Sequence, residues 1–169
     1  MEKKLDLKNI RLLLAVSAFC GLLAACATTG AVDRGEKADF SAVTGKVWQL
    51  EEVETCCGKT IFERANMDKT KSDGFFTLQF EDGRASGKGA PNRFFGPYAA
   101  KADGKINFGP AAATLMMGIY TPPGLSEHEF FRMLNRAAGW EMKDNNFILR
   151  STDEDGGNVT MIFSEFDYR

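Results

Sequence analysis

The chain has 169 residues, of which 26% are charged and 44% hydrophobic, and its formal net charge is −2. That length fits one domain plus a targeting segment, and the charge balance leaves no basic surplus for nucleic acid. The 14 Phe and 17 Gly point to a β-rich core joined by tight turns.

Residues 1–11 carry Lys3, Lys4, Lys8 and Arg11 against Glu2 and Asp6, and residues 12–25 carry no charge. That apolar stretch is short of the about 20 residues a membrane-spanning helix needs. A basic start, a short apolar run and small residues at its end make a secretory signal peptide over 1–25. Leu23-Ala24-Ala25-Cys26 resembles the bacterial lipobox. The resemblance implies cleavage before Cys26, diacylation of its thiol and acylation of the new amino group, and several acyl chains anchor stably. Ala27 is not acidic, which resembles an outer-membrane address. Residues 26–42 are small and polar without periodicity, as in a flexible tether.

The folded domain is expected over 43–169. Residues 46–53 alternate, with Val47 and Gln49 on one side and Trp48, Leu50 and Glu52 on the other, which predicts a first strand anchored by Trp48 and Leu50. Cys56-Cys57-Gly58 follows in a loop. With Cys20 removed and Cys26 acylated, Cys56 and Cys57 are the thiols left in an oxidising compartment. Adjacent cysteines bridge only with unusual geometry, so a strained vicinal disulfide, free thiols and an intermolecular bridge all stay open. His128 is the single His, too few ligands for a metal site.

Residues 75–80 place Phe76, Leu78 and Phe80 on one face of a second strand, and Glu81-Asp82-Gly83 is a hairpin turn. The return strand over 84–89 contains Gly87 and Gly89. Glycine in a strand marks a bulge or the close approach of another backbone. The spacing of Gly83, Gly87 and Gly89 does not make a phosphate-binding loop. Asn92 reads as a buried side chain bonding turn backbone, and Phe94, Phe95 and Tyr98 add apolar area. A short strand over 105–108 ends at Gly109-Pro110. The apolar run over 112–120, with Met116 and Met117, reads as core packing.

Ser126 and Glu129 form a capping box, preceded by Leu125 as a staple for Phe130. Phe130, Met133, Leu134, Ala137 and Ala138 share a helical face, with Gly139 as C-cap. Glu127, His128 and Glu129 diverge in direction and read as exposed surface residues. Strands follow over 140–143, 147–150 and 158–163, separated by Asp144-Asn145-Asn146 and by an acidic turn at 153–157. Val159, Met161 and Phe163 share one face.

Taken together, Trp48-x-Leu50, Ser86-Gly87, Asn92-x-Phe94-x-Gly96-x-Tyr98, Thr114-x-Met116 and Glu127-x-x-Phe130 resemble the META domain, also called HslJ-like. The resemblance implies a compact domain with a curved antiparallel sheet and a helix against it, similar in general form to secretin pilotin lipoproteins. It brings associations with heat shock or stress response, antibiotic tolerance, secretion and virulence, but no agreed enzymatic activity and no catalytic residues. Many members carry Cys just before the motif Asn and two residues after the Thr-x-Met methionine. Here Pro91 and Gly118 stand there, a joint absence expected of positions that normally pair.

The expected fold is therefore α+β and mostly antiparallel, a small curved sheet or partial barrel with one main helix. The expected function is a lipid-anchored protein of the bacterial outer membrane with a non-enzymatic binding, assembly or stress-protective role. The membrane is its partner through Cys26, with a possible envelope protein partner and no cofactor or metal. A lipid or small-molecule carrier is the alternative, and a thiol redox or hydrolytic enzyme comes third. Phe94, Phe95, Tyr98 and Trp140 are the candidate lining of a ligand or partner surface.

Overall fold

A computed structural model describes residues 39–167 apart from Asp73. The predicted signal segment, Cys26 and the tether up to residue 38 lie outside the described residues. The described chain forms ten strands and one α-helix. They are β1 (Val47–Thr55), β2 (Thr60–Glu63), β3 (Thr77–Glu81), β4 (Arg84–Lys88), β5 (Arg93–Ala100), β6 (Ile106–Phe108), β7 (Ala112–Ala113), α1 (Glu127–Arg136), β8 (Gly139–Lys143), β9 (Asn146–Thr152) and β10 (Asn158–Glu165).

The main sheet runs β6-β5-β4-β3-β1-β10-β9-β8, with β2 added on β1 and β7 on β5. All pairs are antiparallel. Its two ends nearly meet. Lys105 bridges Gly139, the Ile106 amide donates to the Ala138 carbonyl at 3.2 Å, and the Trp140 amide donates to that of Gly104 at 2.7 Å. The sheet is therefore an almost closed barrel, which removes most of the bare edge an open sheet would leave. The helix lays Phe130, Met133 and Leu134 into it, and the Ser151 hydroxyl ties it down by donating to the Met133 carbonyl at 2.6 Å.

Turn chemistry sets the hairpins. Asp82 and Gly83 take positive φ between β3 and β4, as do Asp144 and Asn145 between β8 and β9, the signature of tight two-residue turns. Gly87 is required by the close approach expected of it: a Cβ there would lie 2.0 Å from the Thr77 carbonyl oxygen.

Four expectations are corrected. A β-bulge between Leu50 and Glu52 resets the alternation of β1, so Val53 rather than Glu52 follows Trp48 and Leu50 into the core. Phe76 is not in β3; it is fully buried at φ 54, with its amide on the Gly89 carbonyl and its own carbonyl accepting from the Leu50 amide at 2.9 Å. The helix stops at Arg136 with Ala137 as its extended C-cap. Gly139 already begins β8, and Ala138 is exposed. Packing also begins before residue 43. Phe40 lies against Phe80, Tyr98, Trp140 and Phe147 with ring centroids 4.7–6.3 Å apart, so the end of the expected tether belongs to the core.

Candidate functional site

The polar centre of the molecule is Asn92, buried where β4 passes into β5. Its Oδ1 accepts from the Thr114 hydroxyl at 2.8 Å and from the Met116 amide at 2.6 Å. Its Nδ2 donates to Glu127 Oε2 at 2.7 Å and to the Met116 carbonyl at 3.2 Å. Both lone pairs and both protons of the amide are therefore used. Glu127 Oε1 accepts from the amides of Ala90 at 2.7 Å and Asn92 at 2.6 Å. Gly89 leaves room for that carboxylate, since a Cβ there would stand 2.6 Å from Glu127 Oε1. Glu127 is the first residue of α1, where the helix dipole also favours a negative charge.

This clamp holds a loop by its backbone and turns its side chains outward. Leu115, Met117 and Ile119 are 101%, 93% and 102% exposed, and Met116 60%. The expectation that the Met pair packs in the core is thus overturned. The inward-facing groups of the segment are the Thr114 hydroxyl and the Met116 amide and carbonyl, all bound to Asn92. The loop returns at Tyr120, whose hydroxyl accepts from the Asp68 amide at 2.9 Å. Its base adjoins β5: Thr114 donates its amide to the Arg93 carbonyl at 3.0 Å and accepts from the Arg93 amide at 3.1 Å. On the outer face of β4 and β5, Lys88 pairs with Arg93 and Ser86 with Phe95, and the Arg84 guanidinium lies 4.1 Å from the Phe95 ring centre.

The sequence profile described as the META domain matches residues 41–165. The chain belongs to the META domain family. No curated protein sequence matches it. It is similar to the NMR structure of a protein from Burkholderia xenovorans at 23% identity and TM-score 0.53, over 79% of this chain and 92% of that one. It also matches the crystal structure of a DUF4847 family protein from Bacteroides vulgatus at 19% identity and TM-score 0.48, over 74% of this chain and 95% of that one. The first of these likenesses shows the fold alone.

In this META domain the motif residues scattered along the sequence converge. Asn92, Thr114, Met116 and Glu127 form the clamp, while Phe94 and Phe130 pack beneath it with ring centres 6.1 Å apart. The two positions that lack cysteine face each other, for a Cβ on Gly118 would lie 3.1 Å from Pro91 Cδ.

The four candidate lining residues do not form one surface. Phe95 is exposed at 47% and Tyr98 half-buried, whereas Phe94 and Trp140 are buried. Phe94 stacks edge-on with Phe131, and Phe40 sits between Tyr98 and Trp140. A cavity of about 140 Å³ lies between β5 and α1, lined by Phe94, Phe108, Ala111, Phe131, Leu134 and Asn135. A void of about 150 Å³ accommodates benzene.

Glu127 and Glu129 are half-buried rather than exposed, and His128 alone among the three points to solvent. Glu129 closes the capping box, accepting from the Ser126 hydroxyl at 2.6 Å and amide at 2.8 Å, which holds its carboxyl below the ordinary value. Cys56 and Cys57 are free, exposed thiols with sulfurs 3.7 Å apart. The neighbouring thiol raises the Cys56 pKa, which disfavours the reactive thiolate. Among the described residues, no cluster of three or more His, Cys, Asp or Glu could hold a metal.

Sequence reasoning missed the outward loop and the role of Glu127. One signal was available: residues 106–126 carry no charge, a run too polar in backbone demand and too rich in Pro and Gly to be buried whole.

Proposed function

We propose that this chain is a lipid-anchored protein of the bacterial outer membrane whose META domain has a non-enzymatic binding, assembly or stress-protective role. The observation that carries this reading is the solvent-facing apolar loop over 115–119, held on a rigid polar clamp. An apolar tip fixed at its backbone is preorganised for contact and loses little entropy on binding. The clamp itself spends its hydrogen-bonding capacity on its own side chains and on main-chain groups, which argues against a role as acid, base or nucleophile. Anchoring is supported by the lipobox at Leu23-Ala24-Ala25-Cys26. The carrier reading is less well supported, because the apolar cavity between β5 and α1 holds only about 140 Å³ and the larger hollow of about 410 Å³ is a groove on the outer face lined by Arg84, Lys88 and Arg93.

The test is to express the full chain in a bacterium, separate its membranes and weigh its N-terminal peptide. The expected result is a peptide beginning at triacylated Cys26 in the outer-membrane fraction, with Cys26→Ser losing both the acyl mass and the membrane association. A free Cys26 thiol on protein in the soluble fraction overturns the anchor. A photocrosslinker at Met117 that captures nothing in the envelope overturns the binding role.

A further inference from the structure

The geometry points to an anionic lipid surface as the occupant of the loop over 115–119. We infer that Leu115, Met117 and Ile119 enter the interface of a bilayer while Arg93 and Arg84 meet lipid phosphates on its flank. The inference rests on the anchored reading above and names what the exposed loop binds.

Three observations carry it. First, the side chains protrude rather than line a groove. Leu115, Met117 and Ile119 each expose about as much surface as in a free extended chain, and residues 106–126 bring no charge that would have to be dehydrated on insertion. A protein interface core is normally framed by polar groups that pair across it. A fluid apolar phase needs no such complement.

Second, the flank has the sign a headgroup layer attracts. The outer face of β3, β4 and β5 carries Arg84, Lys88 and Arg93 along one groove with Phe95. Among the described residues of these three strands, the carboxylate on that face is Glu81, opposite Arg84 and bonded by the Gln79 amide at 2.6 Å. Lys88 lies with its ammonium 4.7 Å from the Phe75 ring centre, so Arg84 and Arg93 are the cations this face turns outward, and arginines beside an apolar tip are the pattern of an interfacial membrane contact. Arg93 adjoins the root of the loop through both of its bonds to Thr114.

Third, the chain length keeps the surface within reach. Cys26 precedes Asp39 by 13 residues, so an extended link spans at most about 45 Å. That is close to the width of a domain of this size. The loop therefore samples the bilayer at high effective concentration, and a weak interfacial affinity suffices to dock it.

The experiment uses the mature lipoprotein carrying Cys56→Ser, Cys57→Ser and Met117→Cys, labelled at residue 117 with a polarity-sensitive fluorophore. It is reconstituted in phosphatidylcholine vesicles with or without phosphatidylglycerol, with and without brominated acyl chains. The expected result is a blue-shifted emission, quenched about twofold or more by bromine, as for an interfacially buried group. Quenching is stronger with phosphatidylglycerol, and Arg84→Glu with Arg93→Glu removes that difference. A label at Asp155, in the hairpin before β10, stays unquenched.

A label at residue 117 that reports water on vesicles with which the protein cofloats overturns the inference and leaves the anchor standing. Shielding that appears only with envelope protein present also overturns it, in favour of a protein partner. If the protein does not cofloat because Cys26 is unmodified, the anchored reading is what fails. The same protein is then held on vesicles by a C-terminal His tag and nickel-chelating lipid. Bromine quenching there supports loop insertion, and its absence overturns it.

Discussion

Arg64 is a cation placed where the backbone would otherwise leave two carbonyls bare. Its Nε donates to the Leu50 carbonyl at 2.6 Å and its Nη2 to that of Phe75 at 2.7 Å. Leu50 sits at the bulge of β1, and Phe75 precedes the positive-φ Phe76, so one guanidinium covers both irregularities. Burial lowers its pKa to about 10, opposed by Glu51 at 3.8 Å, and it stays charged at neutral pH. Arg64→Ala strands both acceptors and is expected to cost about 2–4 kcal/mol, read as a lower urea midpoint with unchanged m-value. Arg64→Lys is expected to recover less than half of it, because an ammonium lacks the planar fork that spans two acceptors. A full recovery by Lys would show that charge rather than geometry matters.

The capping box gives a second prediction at this scale. Ser126→Ala removes the acceptor of the Glu129 amide at 3.2 Å and a donor to its carboxylate, at an expected cost of about 1 kcal/mol near pH 7. The folded Glu129 carboxyl titrates below its ordinary 4.5 because of the bonds from Ser126. Its stabilisation is therefore present above the unfolded pKa and is lost as pH falls through the folded one. The gap in Tm between wild type and Ser126→Ala should narrow below pH 4.5 and persist above it. A gap constant across that window would assign the whole effect to the amide bond.

At the scale of elements, what was legible followed strong local rules. The Ser126 box, the Asp82-Gly83 turn and the alternation of Val159, Met161 and Phe163 each state their geometry in a few adjacent residues. What was not legible depends on partners far away in sequence. The bulge of β1 is visible only in its register against β10, and β2 exists by pairing with β1. The outward turn of the loop depends on Asn92, more than twenty residues earlier. An apolar run without that information reads as core. The burial of Phe94 and Trp140 was hidden for the same reason, since they look like Phe95 and Tyr98 until the register is known.

The facing of Pro91 and Gly118 makes a prediction about this clamp. In Pro91→Cys with Gly118→Cys the Cδ that a Gly118 Cβ would meet at 3.1 Å is gone, which leaves room for two thiols between neighbouring stretches of backbone. The pair is expected to oxidise in air without a catalyst and to raise stability over its reduced form by about 2–4 kcal/mol. Thiol titration before and after reduction, with thermal unfolding in each state, checks this. Two titratable thiols persisting at these positions under oxidising conditions would mean that the two strands of the loop do not meet in solution.

For the whole molecule, the stabilising and the presenting parts are separable. The barrel closes through Lys105, Ile106 and Trp140, and its aromatic centre runs from Phe40 through Phe80 and Phe147 to Phe163. None of that passes through Leu115, Met117 or Ile119, which bury almost nothing. Exposed side chains with no contacts contribute little to folding. The triple substitution Leu115→Ser, Met117→Ser, Ile119→Ser should therefore move unfolding free energy by no more than about 0.5 kcal/mol, yet abolish membrane contact by the loop. Asn92→Ala should do the reverse in part. It leaves Glu127 Oε2 and the backbone of Met116 without their amide partner, at an expected cost of about 2–3 kcal/mol, while every apolar side chain of the tip remains. Denaturant unfolding and bromine quenching measured on both variants decide the matter. Equal destabilisation by both would place the loop in the fold rather than on it. Loss of lipid contact by the triple variant alone would mean that the tip binds by its side chains and the clamp only aims them.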